Sequence, residues 1–210
     1  MLLGTLAPTA RERRMDLQIT YNPDDEGVLK ANIPQRNKEW ALAFIAEHSV
    51  EEPARIAAIV QEGHDEILAA IAPLTDAQAK QKPSDDGWSV LDAMAHVVTT
   101  KQVCAGLCGS LAGGARPPGI GPEWEEEPAQ DGITNVSFET LAAAREAAES
   151  VHQQLLGIIS KLESANLDVS FKHYIFGPMN AREWAIFQRI HDGDHVAQIR
   201  AMTEELTRGQ

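Results

Sequence analysis

His191 and His195 stand four residues apart in a stretch whose other regularly spaced positions are apolar. On a helix, that spacing puts both rings on one face, a turn apart. Two imidazoles so placed can ligate one divalent ion. Trp184, Phe187, Ile199, Met202 and Leu206 fall on the same face, so both rings are expected to point into a core. His96 occupies the equivalent place in an earlier stretch, among Ala93, Thr100 and Val103. The plain alternative is that all three are satisfied core histidines. Burying three unlinked imidazoles, however, leaves ring nitrogens in need of partners, at about 1–3 kcal/mol for each one unsatisfied. A single cation satisfies them together. Three neutral nitrogens with open positions suit a catalytic type of site better than a closed structural one. His96, His191 and His195 are therefore the expected metal ligands.

The other candidate groups carry weaker signals. The zinc-protease helix signature needs glutamate directly after the first histidine, and this chain has Asp192 followed by Gly193. His64, between Val60 and Ile67, reads as a boundary residue or as a further partner of the site. His152, beside Val151, reads as a surface histidine. His48 and His173 fall near helix ends or in loops, and His173 with Tyr174 could line a pocket mouth. Gln198 shares the face of His195 and could orient a ligand. Cys104 and Cys108 read as small core residues, since neighbours four apart on a helix do not easily form a disulfide. His64, Glu66 and His173 have only weak claims as general bases.

These side chains need long helices to position them, and the sequence supplies four. The first opens near Ser49-Val-Glu-Glu52-Pro53, where serine and glutamate three apart suggest a capping box and proline suits an early turn. Ile56, Ile59, Val60, Gly63, Ile67, Ala70 and Ile71 then form one stripe. The second opens at Ser89, a good N-cap answered by Asp92, and carries Ala93, His96, Thr100, Val103, Leu107 and Leu111. The third spans about 138–162 on Leu141, Ala144, Ala148, Val151, Leu155, Ile158 and Leu162. The fourth opens at Asn180-Ala-Arg-Glu183 and continues to about Leu206. Between the second and third, Gly113–Pro122 cannot be helix, so 112–136 is expected to be a long crossover or lid, with Trp124 in an acidic cluster. The 163–179 stretch reads as a loop, and no strand is convincing. The expectation is an all-α four-helix bundle over 49–210 with a long crossover between its second and third helices. Residues 1–48 form an N-terminal extension, partly loose, with a short helix from about Lys38 to Glu47.

Bulk composition narrows the function classes. A net charge of -13 repels phosphate backbones and anionic lipid heads, so nucleic acid and membrane surfaces are poor partners. No apolar run approaches the roughly 20 residues needed to span a bilayer. The first residues lack a basic region before their apolar patch and do not read as a signal peptide. With no disulfide framework, a cytoplasmic location is expected.

Taken together, these pieces resemble the DinB-like superfamily, the DNA-damage-inducible family of metal-binding bundles. The resemblance rests on Gly87-Trp88-Ser89-Val90 leading to His96, on Phe176-Gly177-Pro178 leading into Asn180-Ala-Arg-Glu183-Trp184, and on the run from His191 to Ile199. It covers roughly residues 50–206. It implies a three-histidine divalent site, typically zinc or nickel, with water in open positions. Some relatives are thiol S-transferases that join bacillithiol or mycothiol to electrophiles, and a mycothiol-dependent maleylpyruvate isomerase is similar in fold. A small-molecule thiol and an electrophile are thus the implied substrates. Metal-assisted hydrolysis or isomerisation, and a non-catalytic metal-binding stress-response module, are the alternatives. A homodimer is compatible with shared helix faces. The N-terminal extension and the 112–136 stretch depart from a minimal family member.

Overall fold

The computed structural model describes residues 35–82, 87–116, 136–173 and 175–208. The elements in order are α1 (Gln35–His48), α2 (Pro53–Ile71), the single turn α3 (Asp76–Ala79), α4 (Val90–Ala112), α5 (Leu141–Ile159), a 3-10 turn (Leu162–Ser164), β1 (Phe171–His173), β2 (Gly177–Met179) and α6 (Ala181–Arg208). The all-α bundle expectation holds. Trp124 and the greater part of the expected crossover lie outside the described residues, as does Tyr174. Among the described residues, no helix is long and apolar enough to cross a membrane.

Helix starts follow side-chain chemistry where the sequence offers it. Ser89 and Asp92 form a complete capping box on α4, and Asn180 and Glu183 exchange backbone N–H bonds at the start of α6. The expected box at Ser49 does not form. The backbone N–H of Ser49 donates to Ile45 O at 2.9 Å, so this serine closes α1 and does not open α2. The second helix begins four residues later, at Pro53, without a side-chain cap. Thr75 and Gln78 make a further box that starts α3, in the segment between α2 and α4. The third predicted helix is shorter than expected, because Thr140 caps it and the chain tightens into the 3-10 turn at Leu162.

The expected absence of strands is also corrected. Phe171–His173 pairs antiparallel with Gly177–Met179, and Gly177 takes φ +83 in the second strand, a conformation open to glycine. Three-residue strands are too short to show alternation. Trp184 Nε1 donates to Phe171 O at 3.2 Å, tying this hairpin to α6.

Around the bundle, α2 packs on α5 and α6, and α4 packs on the same two helices. Two apolar clusters fix the helix directions. One joins the first half of α2 and of α6 to the last half of α4 and of α5. The other joins the opposite halves. Hence α2 and α6 run one way, while α4 and α5 run the other. Two adjacent helices that run alike cannot be linked by a tight turn. The end of α4 and the start of α5 therefore lie at opposite ends of the bundle, separated by about the length of α4, whose 23 residues span about 35 Å.

The two clusters are separated by a polar layer. Each bundle helix contributes to it: Gly63 and His64 from α2, Lys101 from α4, His152 from α5, and His191 and Asp192 from α6, all buried. Lys101 Nζ donates to Asp192 Oδ2 at 2.9 Å, with both side chains fully shielded. Gln188 Nε2 donates to the other carboxylate oxygen at 2.7 Å. A Cβ on Gly63 would meet Arg189 Cδ at 3.0 Å and Asp192 Cβ at 3.1 Å, so glycine lets α2 approach α6 beside the ion pair.

Removing one member of a buried ion pair strands the other charge, at about 3–5 kcal/mol, whereas apolar replacement of both is often neutral. Lys101→Met should therefore lower the unfolding free energy of the metal-free protein by about 3–5 kcal/mol. Lys101→Met with Asp192→Leu should recover most of that loss in urea titrations. A double variant as unstable as the single one would contradict this account of the layer.

Candidate metal centre

His96 lies on α4, in its second turn. His191 and His195 lie one turn apart on α6, which packs against α4 in the opposite direction. The three rings converge. Centroids are 5.2 Å apart for His96 and His191, 4.9 Å for His96 and His195, and 4.5 Å for His191 and His195. One ring nitrogen from each lies within 4.8 Å of the other two. Among the described residues, this is the group of three or more His, Cys, Asp or Glu side chains that could hold an ion. His64 and His173 are not members.

The nitrogen geometry suits a cation. His191 Nε2 and His96 Nε2 are 3.2 Å apart. Two nitrogens bound to a tetrahedral zinc at about 2.0–2.1 Å would stand roughly 3.3 Å from each other. His195 Nδ1–H donates to Gln198 Oε1 at 2.7 Å, which leaves Nε2 bare. That Nε2 is buried and has no hydrogen-bond partner. An orphaned acceptor beside two close ring nitrogens is what a bound cation would satisfy. Burial, reinforced by His195 and His96, holds His191 well below the usual histidine range. Its ring is therefore neutral, as a metal ligand must be.

The rim is aromatic. Trp88, just before the Ser89 cap, sits 5.2 Å from His96 and lies nearly parallel to His195 at 6.5 Å. On the other side Phe187 lies 6.0 Å from His191 and packs on His173 at 4.8 Å. His173 Nδ1 accepts the backbone N–H groups of Ile175 and Phe176. Burial pushes its pKa down to about 3, so it is neutral near pH 7. It braces the hairpin against α6 and does not serve as a ligand. Glu66 is engaged by Arg189 Nη2 at 3.1 Å from both oxygens.

His64 and His152 form a separate pair, and the surface reading of His152 is wrong. Both rings are fully buried and stack at 4.0 Å and 11°. His64 Nε2 bonds to Glu149 Oε2 and His152 Nε2 to Gln61 Oε1, each at 2.9 Å. The cause is that α5 packs between α4 and α2, so its buried face is broader than one stripe and takes in residue 152 beside Val151. Cys104 and Cys108 are free and buried, as expected. Burial raises both thiols, Cys108 to about 12, which suits inert core residues. The Lys101–Asp192 pair stands outside the candidate residues that the sequence suggests. Its signal is present all the same: Lys101 is the single charged residue between Asp92 and Arg116.

The fold and site together define a four-helix bundle with a three-histidine cluster suited to a divalent ion. The family model of the DinB superfamily matches residues 59–199, and the chain belongs to that superfamily. No curated protein and no solved structure matched the chain.

Two expectations follow. Gln198→Ala frees the His195 tautomer and should weaken divalent-metal affinity about 10–100-fold, while His191→Ala should weaken it further, both read by chelator competition. Equal affinity in Gln198→Ala would remove the orienting role. The second concerns pH. Unfolded histidine takes a proton near 6.5, whereas burial holds folded His152 at about 4 and also lowers His64. The unfolded state therefore binds more protons between these values. Stability is complete above about 6.5 and is lost as pH falls toward 4. The metal-free Tm should drop between pH 7 and pH 5, with a shallower drop in a His64→Gln/His152→Leu variant. Identical slopes would contradict the assignment.

Proposed function

We propose that this protein is a divalent-metal-dependent enzyme that joins a small-molecule thiol to an electrophile, with His96, His191 and His195 as ligands and zinc or nickel as the ion. The observation that carries the reading is the bare, buried Nε2 of His195, held by Gln198 beside the 3.2 Å pair of Nε2 atoms on His96 and His191. When bound, the ion supplies Lewis-acid chemistry that lowers a thiol pKa enough to make thiolate plentiful near neutral pH.

The chain's own groups favour thiol transfer over hydrolysis. A free thiol already ionises near 8.5, so it needs far less help than water, at 15.7. The three residues with a sequence claim as general base are committed elsewhere. Glu66 binds Arg189, His64 binds Glu149, and His173 caps backbone N–H groups. The aromatic rim of Trp88 and Phe187 offers apolar surface to the carbon skeleton of an electrophile and excludes water from the reacting atoms. The sulfur forms the new S–C bond, the leaving group departs, and the thiol proton passes to solvent. Thiols of the bacillithiol or mycothiol kind are the proposed donors, and a cytoplasmic location would supply them. Whether the protein works as a homodimer does not alter this assignment.

The test is turnover of monochlorobimane by metal-loaded protein with a panel of low-molecular-weight thiols. The expected result is a rate above the buffer blank that depends on added zinc or nickel and falls at least tenfold in His195→Ala. Rates equal to the blank with every thiol would overturn the transferase reading.

A further inference from the structure

We propose that Lys101 and Asp192 are positioning residues for the metal centre, setting the axial register of α4 against α6 and so the spacing of His96 from His191. The proposal rests on the metal-site reading above and names residues outside the ligand set.

Asp192 follows His191 directly, yet neither of its oxygens is free for an ion. Oδ2 takes the Lys101 ammonium at 2.9 Å and Oδ1 takes the Gln188 amide at 2.7 Å. Lys101 lies five residues beyond His96 on α4, about 7.5 Å along the helix axis. The turn between them carries Thr100, whose hydroxyl is 3.4 Å from His96 Nε2. One bond therefore joins the two ligand-bearing helices within a turn and a half of both ligands.

Apolar packing alone does not require this register. Above and below the layer, α4 contributes only aliphatic and small side chains to the two apolar clusters it shares with α6, and such surfaces repack at modest cost when volume is kept. A buried ion pair adds little net stability over an apolar isostere, and its best-attested use is to fix register. Gly63 contributes from the third side. A side chain there would push on Asp192 Cβ at 3.1 Å and Oδ2 at 3.3 Å, so α2 closes against the carboxylate and restricts its movement.

The test uses the Lys101→Met/Asp192→Leu double variant, with folding verified by its denaturation midpoint. Two readouts are compared with the wild type. In the metal-free protein, imidazole proton–nitrogen NMR correlations report the His96–His191 ring contact. In the loaded protein, chelator competition with zinc reports affinity. The expected result is a stable variant that loses the ring contact and binds zinc at least tenfold more weakly. An unchanged ring contact, or affinity within twofold of wild type, would overturn the positioning role. A wild type that keeps the ring contact but binds no zinc would instead overturn the metal reading, and the ring contact in the variant would still decide the register.

Discussion

Three ring nitrogens must lie close together inside a protein interior, and little in a hydrophobic core favours that. Imidazole nitrogens need partners when buried, and His195 Nε2 has none. Everything else at this site serves to hold that costly arrangement. The antiparallel packing of α4 and α6 brings one histidine up to two. Gln198 fixes the tautomer of His195 so that its bare nitrogen is Nε2. Burial keeps His191 neutral. A divalent ion converts the same geometry from a cost into a set of satisfied bonds.

The bundle's topology follows from a second constraint. Its core is two apolar clusters separated by a polar layer to which all four helices contribute. Part of the cost of such a layer is offset by paired groups, Lys101 with Asp192, His64 with Glu149 and His152 with Gln61, while His64 Nδ1, His152 Nδ1 and His191 Nδ1 have no hydrogen-bond partner. The three-histidine cluster lies on the α4–α6 side of this layer, and the stacked His64 and His152 rings lie on the α2–α5 side. Seven histidines in the chain thus divide by partner. Three converge, two stack, one braces the hairpin, and His48 closes α1 beside Glu51.

Much of this was legible in the residues. The 3.6-residue stripes located four long helices. Ser89 with Asp92 and Asn180 with Glu183 marked two starts correctly, because side chain and backbone there lie within one turn of each other. The convergence of His191 and His195 was readable because spacing by four on a helix is itself a geometric statement, and His96 because it interrupts the apolar stripe of the helix that packs against them. What was hidden depends on neighbours distant in sequence. His152 looks exposed from its own stripe, and only the packing of α5 against two helices buries it. Ser49 with Glu52 has the letters of a capping box, but α1 claims the serine. The hairpin is too short to leave a period. Lys101 stood out as a lone charge in an apolar stretch, yet its partner lies 91 residues away.

The central claim is that His96, His191 and His195 grip one ion through their ring nitrogens. X-ray absorption spectroscopy of the zinc- or nickel-loaded protein measures this directly. The account predicts three imidazole nitrogen scatterers, at about 2.0–2.1 Å for zinc, with the remaining positions filled by light atoms. A first shell containing sulfur from Cys104 or Cys108, or one with fewer than three imidazoles, would contradict it.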